Sequence, residues 1–469
     1  MGAGPGGHGH RPQGLLGAQR LPQPRRPLAG GAVRLALGVK GGRSSTTGIA
    51  AAQGALAPAE ADVLTAGRLP GRTLAPLRHR NYRLLWTGLV ISNTGTWMQF
   101  IAIGYLMDQL TLSPLYLGYL GLAQGIPRVL FAFVGGVVAD RGDRRRVLLL
   151  TNLVAMASAT LLAVLTYLDL IRVWHLLVIG AFNSFVHAFD MPARQSMTPA
   201  LVGEADLLQA ISLNSVAFNG AGIFGPALGG LVISLVGTHG AFALNAVSYL
   251  AVLWALLAMR VPPTADAARV PIGEDIREGL ALLWRQRTVL TVLALVAVVS
   301  FFGRPYIRLM PTVAREVLQV GPRGLGILQA APGLGTVLAA LLIGWSVGRL
   351  PAGSLMLAAA GAMGLLVALF GLSHSFPLSV ALLVGVGLSQ SAALATANTL
   401  LQRTVPPGAR GRAMGIFSMV AFGMMAFGTL PAGAVAEAIT LPWTFALWGL
   451  VIVVAVVLTA LLAPAVRAL

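Results

Sequence analysis

Val129-Leu-Phe-Ala-Phe-Val-Gly135-Gly136-Val-Val-Ala-Asp140-Arg141-Gly-Asp143-Arg144-Arg145-Arg146-Val-Leu-Leu-Leu150 reads as two apolar runs joined by a short charged hinge. An apolar run that resumes directly after two carboxylates and four arginines is what one helix leaving a bilayer and the next re-entering it require. The pattern continues outward from the hinge. From residue 81 onward, apolar stretches follow one another, each roughly 18–25 residues and long enough for a ~30 Å hydrocarbon core. Spans are expected at 82–107, 115–138, 146–168, 173–193, 208–235, 240–260, 288–310, 323–346, 353–373, 376–400, 412–436 and 441–463. The chain is 56% hydrophobic and only 10% charged, too little charge to cover the surface of a soluble protein of 469 residues. The expected fold class is an all-α membrane protein of twelve transmembrane helices.

Six spans precede the longest internal polar stretch and six follow it. Residues 76–260 and 288–469 are therefore the two six-helix halves, and 261–287 is the loop between them. Residues 1–75 stand apart, rich in Gly, Pro and Arg, with no acid before Glu60 and no sustained apolar run. They read as a disordered tail, with an organelle transit peptide or a start codon placed too far upstream as the other readings. The halves repeat each other weakly at an offset of about 207 residues: Gln195 and Pro199 parallel Gln402 and Pro406, Arg141 parallels Arg349, and Pro226 parallels Pro431.

The net charge of +18 follows membrane topology more closely than any nucleic-acid patch. Arg78, Arg80 and Arg83, the hinge arginines, the arginines flanking the central loop, and Arg403, Arg410 and Arg412 all fall on one side if the helices alternate. That side is cytoplasmic by the excess of positive charge, and an even span count puts both termini there. One segment on the other side, with Arg304, Arg308, Arg315 and Arg323, breaks the rule. Cysteine is absent, which excludes disulfides and thiolate chemistry. There is no phosphate-binding loop, metal-ligand spacing or nucleophile-base set, so no catalytic residue, cofactor or metal is expected, and no enzyme.

The hinge resembles the signature loop of the major facilitator superfamily: a Gly, then Asp-Arg, then paired basic residues. Asp143 stands where the general signature has a second Gly. The resemblance implies a conformational latch of Gly136, Asp140, Arg141, Arg144 and Arg145. Asp140 can cap a helix and accept from an arginine, while Gly135 and Gly136 permit close helix contact. The plainer reading is a basic stop-transfer loop. Arg80-Asn81-Tyr82-Arg83, Ser92-Asn93-Thr94-Gly95-Thr96-Trp97-Met98-Gln99, Asp190-Met-Pro-Ala-Arg194-Gln195 and Ala314-Arg315-Glu316-Val317-Leu318 resemble the enterobactin-exporter-like branch, the transmembrane secretion effectors, over residues 76–463. Gly225, Pro226, Gly229 and Gly230 in span five resemble the Gly-Pro motif of antiporters, though Ala221 replaces its first Gly. Generic Gly-rich membrane packing is the alternative.

Polar residues inside the spans are the candidates for a substrate or proton pathway. Ser92, Thr96 and Gln99 share one helix face, as do Asn183, His187 and Asp190, and again Ser391 and Asn398. Asn93 belongs to the same polar stretch of span one. The resemblance gathers spans one, four, seven and ten around a central cavity; hydrogen bonding between packed helices is the other reading. Asp190 can also serve as a cap at the end of span four. Arg128 lies twelve residues before Asp140, about 18 Å along a helix and so near the middle of the bilayer. An arginine there marks a pathway or a pairing, or is tied to helix carbonyls.

The resemblance thus implies a multi-pass, monomeric secondary active transporter of the bacterial cytoplasmic membrane. It would export small amphipathic molecules, a drug or a siderophore, against protons by alternating access. Proton symport for uptake and a non-transporting sensor or scaffold are the rival readings. The expected partners are a small-molecule substrate, protons and the lipid bilayer, with no nucleic acid.

Overall fold

The computed structural model describes Gly2 and residues 74–259, 286–346, 351–406 and 409–467. Most of the N-terminal tail, the central loop and Arg349 lie outside the described residues. So do the side chains of Asp140 and Arg141.

Twelve long helices make up almost all of what is described. In the first half these are α1 (Arg80–Thr111), α2 (Pro114–Arg141), α3 (Arg144–Tyr167), α4 (Val173–Val202), α5 (Leu207–Val236) and α6 (Thr238–Ala258). In the second half they are α7 (Arg287–Val317), α8 (Pro322–Ser346), α9 (Ala352–Leu372), α10 (Phe376–Thr404), α11 (Arg410–Ala438) and α12 (Leu441–Leu462). Proline opens α2, α10 and α12, where its missing N–H costs nothing. Leu112, in the left-handed region at φ 52°, closes α1 and turns the chain into α2. By length and hydropathy ten helices, α3 to α12, qualify as membrane spans. In α1 the run Ser92-Asn93-Thr94, with Thr96 and Gln99, lowers the mean hydropathy.

Several helices outrun the expected spans, α4 by the most. α4 continues past residue 193 because Ala193, Met197 and Leu201 bury themselves against Tyr82, Leu85 and Leu256. Asp190 therefore lies inside α4 and does not cap it. α10 likewise runs on to Thr404, with Ala397, Leu400 and Leu401 buried. α7 is one span in two pieces. It breaks at Arg304 and Pro305, resumes over Tyr306–Thr312, and ends in a π turn over Val313–Val317. Arg308 and Arg315 thus belong to the helix, Arg304 to its break, and Arg323 to the first turn of α8; they do not form one exposed loop. Pro311 cannot donate to the carbonyl of Ile307, and Gln329 of α8 does so instead at 2.7 Å.

The helices of the second half begin 203 to 208 residues after their counterparts in the first. Packing follows the same repeat: α2 lies on α4 as α8 lies on α10, and α1 on α6 as α7 on α12. The halves meet where α2 packs on α11 and α5 on α8, two pairs that the repeat exchanges. At the second crossing Gly230 leaves no room for a Cβ, which would strike the carbonyl of Pro322. α6 presents Leu244, Val247, Leu250, Trp254 and Leu257 outward, an exposed apolar stripe suited to lipid.

The two ends of the bundle differ. One end, termed basic below, carries the start of α1 and the hinge between α2 and α3. There Arg80 donates to Ala258 O at 3.4 Å and Arg145 to Leu256 O at 2.7 Å, closing the end of α6. The opposite end joins the halves. Arg315 binds Asp108, Thr312 donates to Asp108 Oδ1 at 2.6 Å, Ser113 donates to Glu437 at 2.6 Å, and Arg323 donates to Ser234 at 2.8 Å.

Candidate functional site

Several polar side chains of the first half are absorbed by its own helices. Thr96 meets the hydroxyl of Tyr249 at 3.3 Å, and Gln99 accepts from Asn245 at 2.7 Å. Both partners are on α6, so these two residues turn toward a peripheral helix. Ser92 is buried and its hydroxyl has no partner among the described residues. Asp190 accepts from Thr151 at 3.1 Å and from Asn152 at 2.9 Å, and pairs with Arg194 at 2.5 Å. Arg194 donates in turn to Asn93 at 3.2 Å. One buried network therefore joins α3, α4 and α1, and its carboxylate is fully engaged. Asn183 Oδ1 is buried and unpartnered among the described residues, and His187 is half-buried one turn from Asp190.

In the second half, Ser391 donates to Thr336 of α8 at 2.9 Å. Asn398 accepts from Gln402 at 2.5 Å and lines a cavity of about 500 Å³ between α7, α10 and α11. Arg304, Leu394, Thr399, Phe417 and Phe422 line it too. That volume lies within the range of small-molecule sites, roughly 300–1,000 Å³.

Arg304 was not among the pathway candidates read from the sequence, and neither was Arg308. Arg304 sits at the break in α7, and Arg308 lies in the helical turn that follows it. Arg304 donates to Ala421 O at 3.3 Å and stands 5.6 Å over the ring of Phe422. Arg308 donates to Gln124 of α2 and lies 4.1 Å over the ring of Phe100. Arg304 Nε, Arg308 Nη1 and the Tyr306 hydroxyl are buried without a partner among the described residues. Arg128, one turn along α2 from Gln124, is exposed at mid-helix. The signal that could have found this group was in the sequence: two arginines within an apolar run, on the side where positive charge is scarce.

The latch candidates are partly redistributed. Asp143, not Asp140, caps α3, accepting from the backbone N–H of Arg145 at 3.0 Å and of Arg146 at 3.2 Å. Arg144 donates to Ser196 O at 2.8 Å, within its own half. Gly135, not Gly136, is the position of close approach: a Cβ there would run into Ala188 O of α4, whereas at Gly136 it would meet open space. Gly225 and Gly229 pack on α1 at Thr94 and Met98. Pro226 lies inside α5 without ending it.

Comparison with known proteins places this geometry. The family model of the transmembrane secretion effectors matches residues 71–468. An uncharacterised MFS-type transporter of Bacillus subtilis is 29% identical over 276 residues, 56% of this chain and 64% of that protein. The chain thus spans less than two thirds of that relative. A multidrug efflux pump of Mycolicibacterium fortuitum is 26% identical over 77% of this chain and 90% of its own length. The enterobactin exporter of Escherichia coli is 25% identical over 72% and 81%. Among solved structures, a nucleoside transporter matches with TM-score 0.64 at 16% identity, covering 83% of this chain and 98% of that one. A bacterial homologue of the lysosomal transporter Spinster, inward-facing and unoccupied, matches with TM-score 0.62 at 17% identity, covering 86% and 97%. These two likenesses establish the fold. With twelve membrane-length helices in two exchanged halves and a match along nearly the whole described length, the chain belongs to the transmembrane secretion effectors, multi-pass membrane transporters of the major facilitator superfamily.

Proposed function

We propose that the protein exports small amphipathic molecules by alternating access, driven by protons, from a bacterial cytoplasmic membrane. Its basic end, with both termini, faces the cytoplasm. The observation that carries this reading is that polar pairs join the halves at the end opposite the basic one. Asp108–Arg315, Ser113–Glu437 and Ser234–Arg323 tie them at the end opposite the basic one, beyond polar side chains held at mid-depth. Two halves hinged about a midplane site are the parts of a rocking transporter. The export direction draws on the relatives, whose names record macrolide efflux, multidrug efflux and enterobactin export.

In this reading Gly136, Asp140, Arg141, Arg144 and Arg145 close the basic end in the alternate state, when the opposite end opens. Arg128, Asn183, His187 and Asn398 bear on the substrate path, and His187 beside the Asp190–Arg194 pair is the titratable group nearest to it. Everted vesicles with an imposed pH gradient test the proposal. Uptake of substrate into acid-loaded vesicles, collapsed by an uncoupler, is expected. Accumulation only under the reversed gradient would make the protein a symporter, and no gradient-dependent flux with any of a panel of compounds would leave a sensor or scaffold.

A further inference from the structure

The cavity region holds more positive charge than its own residues balance. Arg304 and Arg308 stand one turn apart on α7, and Arg128 projects from α2. Among the described residues none of the three forms an ion pair with a carboxylate. Arg128 makes no hydrogen bond or ion pair there. Among the described residues the acid in the middle of a span is Asp190, and it is spent on Arg194, Thr151 and Asn152. Two guanidinium N–H groups and the Tyr306 hydroxyl, all buried donors, lack acceptors among the described residues. Buried donors left unpaired at membrane depth are costly, and such groups are ordinarily satisfied by a partner or a ligand.

The surroundings specify the rest of that ligand. Phe417, Phe422 and Leu394 line the cavity beside Arg304, and Asn398 and Thr399 supply side-chain polar groups on its wall. Phe100 already covers one face of Arg308, leaving its edge to meet an oxygen. A guanidinium edge matches two oxygens of a carboxylate, sulfonate or phosphate.

We infer that this site binds an amphipathic organic anion, its charged oxygens on Arg304 and Arg308 with Arg128 as the third cation, and its apolar body against Phe417, Phe422 and Leu394. The inference rests on the transport reading above and narrows its substrate class from amphipathic molecules in general to anions.

Naphthalene-2-sulfonate is the probe, titrated calorimetrically into the purified full-length protein in neutral detergent. Its cationic counterpart, naphthylmethylammonium, is the control. Saturable binding of the sulfonate without binding of the ammonium is expected. Arg304→Gln and Arg308→Gln should each weaken it by about tenfold or more, the scale of a lost charge-assisted hydrogen bond. Arg304→Lys, which keeps the charge, should recover part of that loss, and each variant is first shown to be monodisperse. Preference for the ammonium, or sulfonate binding unchanged in both glutamine variants, would overturn the proposal. Displacement of the sulfonate by phosphatidylglycerol would do so too, by naming a lipid headgroup as the occupant. The two readings fail separately. Anion binding without gradient-driven flux would refute export and leave the site, whereas flux of neutral compounds without sulfonate binding would refute the anion site alone.

Discussion

Asp108 at the end of α1 and Arg315 at the end of α7 are 207 residues apart and face each other across the junction of the halves, Nε to Oδ2 at 2.7 Å and Nη2 to Oδ1 at 3.1 Å. Asp108 is almost wholly buried and Thr312 donates to it as well. A pair so placed holds its end of the bundle shut. Each charge-assisted bond contributes on the order of 1.5–3 kcal/mol, so Asp108→Asn should raise opening at this end by about tenfold or more. The chain has no cysteine of its own. Thr429, buried where α11 crosses α2, therefore offers a clean reporter as Thr429→Cys. Faster labelling of that introduced thiol in the Asp108→Asn background is expected, and the exchange Asp108→Arg with Arg315→Asp should slow it again. Equal labelling rates would show that the pair does not hold the end closed.

Orientation has a direct check. With positive charge retained in the cytoplasm, reporter fusions at Asp266 and at Leu469 should both report the cytoplasmic side. A reporter active outside at either position would mean an odd number of spans before it.

How far the molecule could be read from its residues varied with the physics involved. The helices were legible because lipid demands long unbroken apolar runs, and the repeat was legible at an offset of about 207 residues, against 203 to 208 between the helix starts. The reach of α4 to Val202 was not. Pro192, Arg194, Gln195 and Pro199 look like an exit from the membrane, and only tertiary burial of Met197 and Leu201 beneath α1 keeps the helix going. In the site, Arg128 was legible as a charge at mid-depth. Arg304 and Arg308 were recorded only as violations of charge asymmetry, since sequence spacing does not disclose that Pro305 breaks α7 and aims both inward. Thr96 and Gln99 share a face as expected, but that face meets α6, and a helical wheel carries no information on which neighbour it meets.

Close packing of α2 on α4 separates two adjacent glycines. Gly135→Ala places a methyl against Ala188 O and should lower thermal stability, since overpacking typically costs about 1–3 kcal/mol. Gly136→Ala should leave stability within about 0.5 kcal/mol, as expected of a substitution into open space. Melting curves of the two variants in the same detergent decide the matter, and equal losses would contradict the packing described.

The two acids of the hinge should also separate. Asp143 is a helix cap, so Asp143→Ala should cost about 0.5–2 kcal/mol of stability with little effect on which end of the transporter is open. Asp140→Asn should do the reverse, leaving melting nearly unchanged while transport falls and the basic end stays more accessible to labelling. Matching behaviour of the two variants, in stability and in labelling, would remove the latch role from Asp140.

The Asp108–Arg315 pair also bears on how the chain came to have two halves. In an assembly of identical six-helix subunits about a dyad, a residue that meets its own counterpart meets the same side chain. A carboxylate would face a carboxylate, or a guanidinium a guanidinium, and repel. Opposite charges at matching positions therefore require two copies free to mutate independently, which fusion into one gene provides. The seal at this end is a trait that no self-paired ancestor of the fold could have carried.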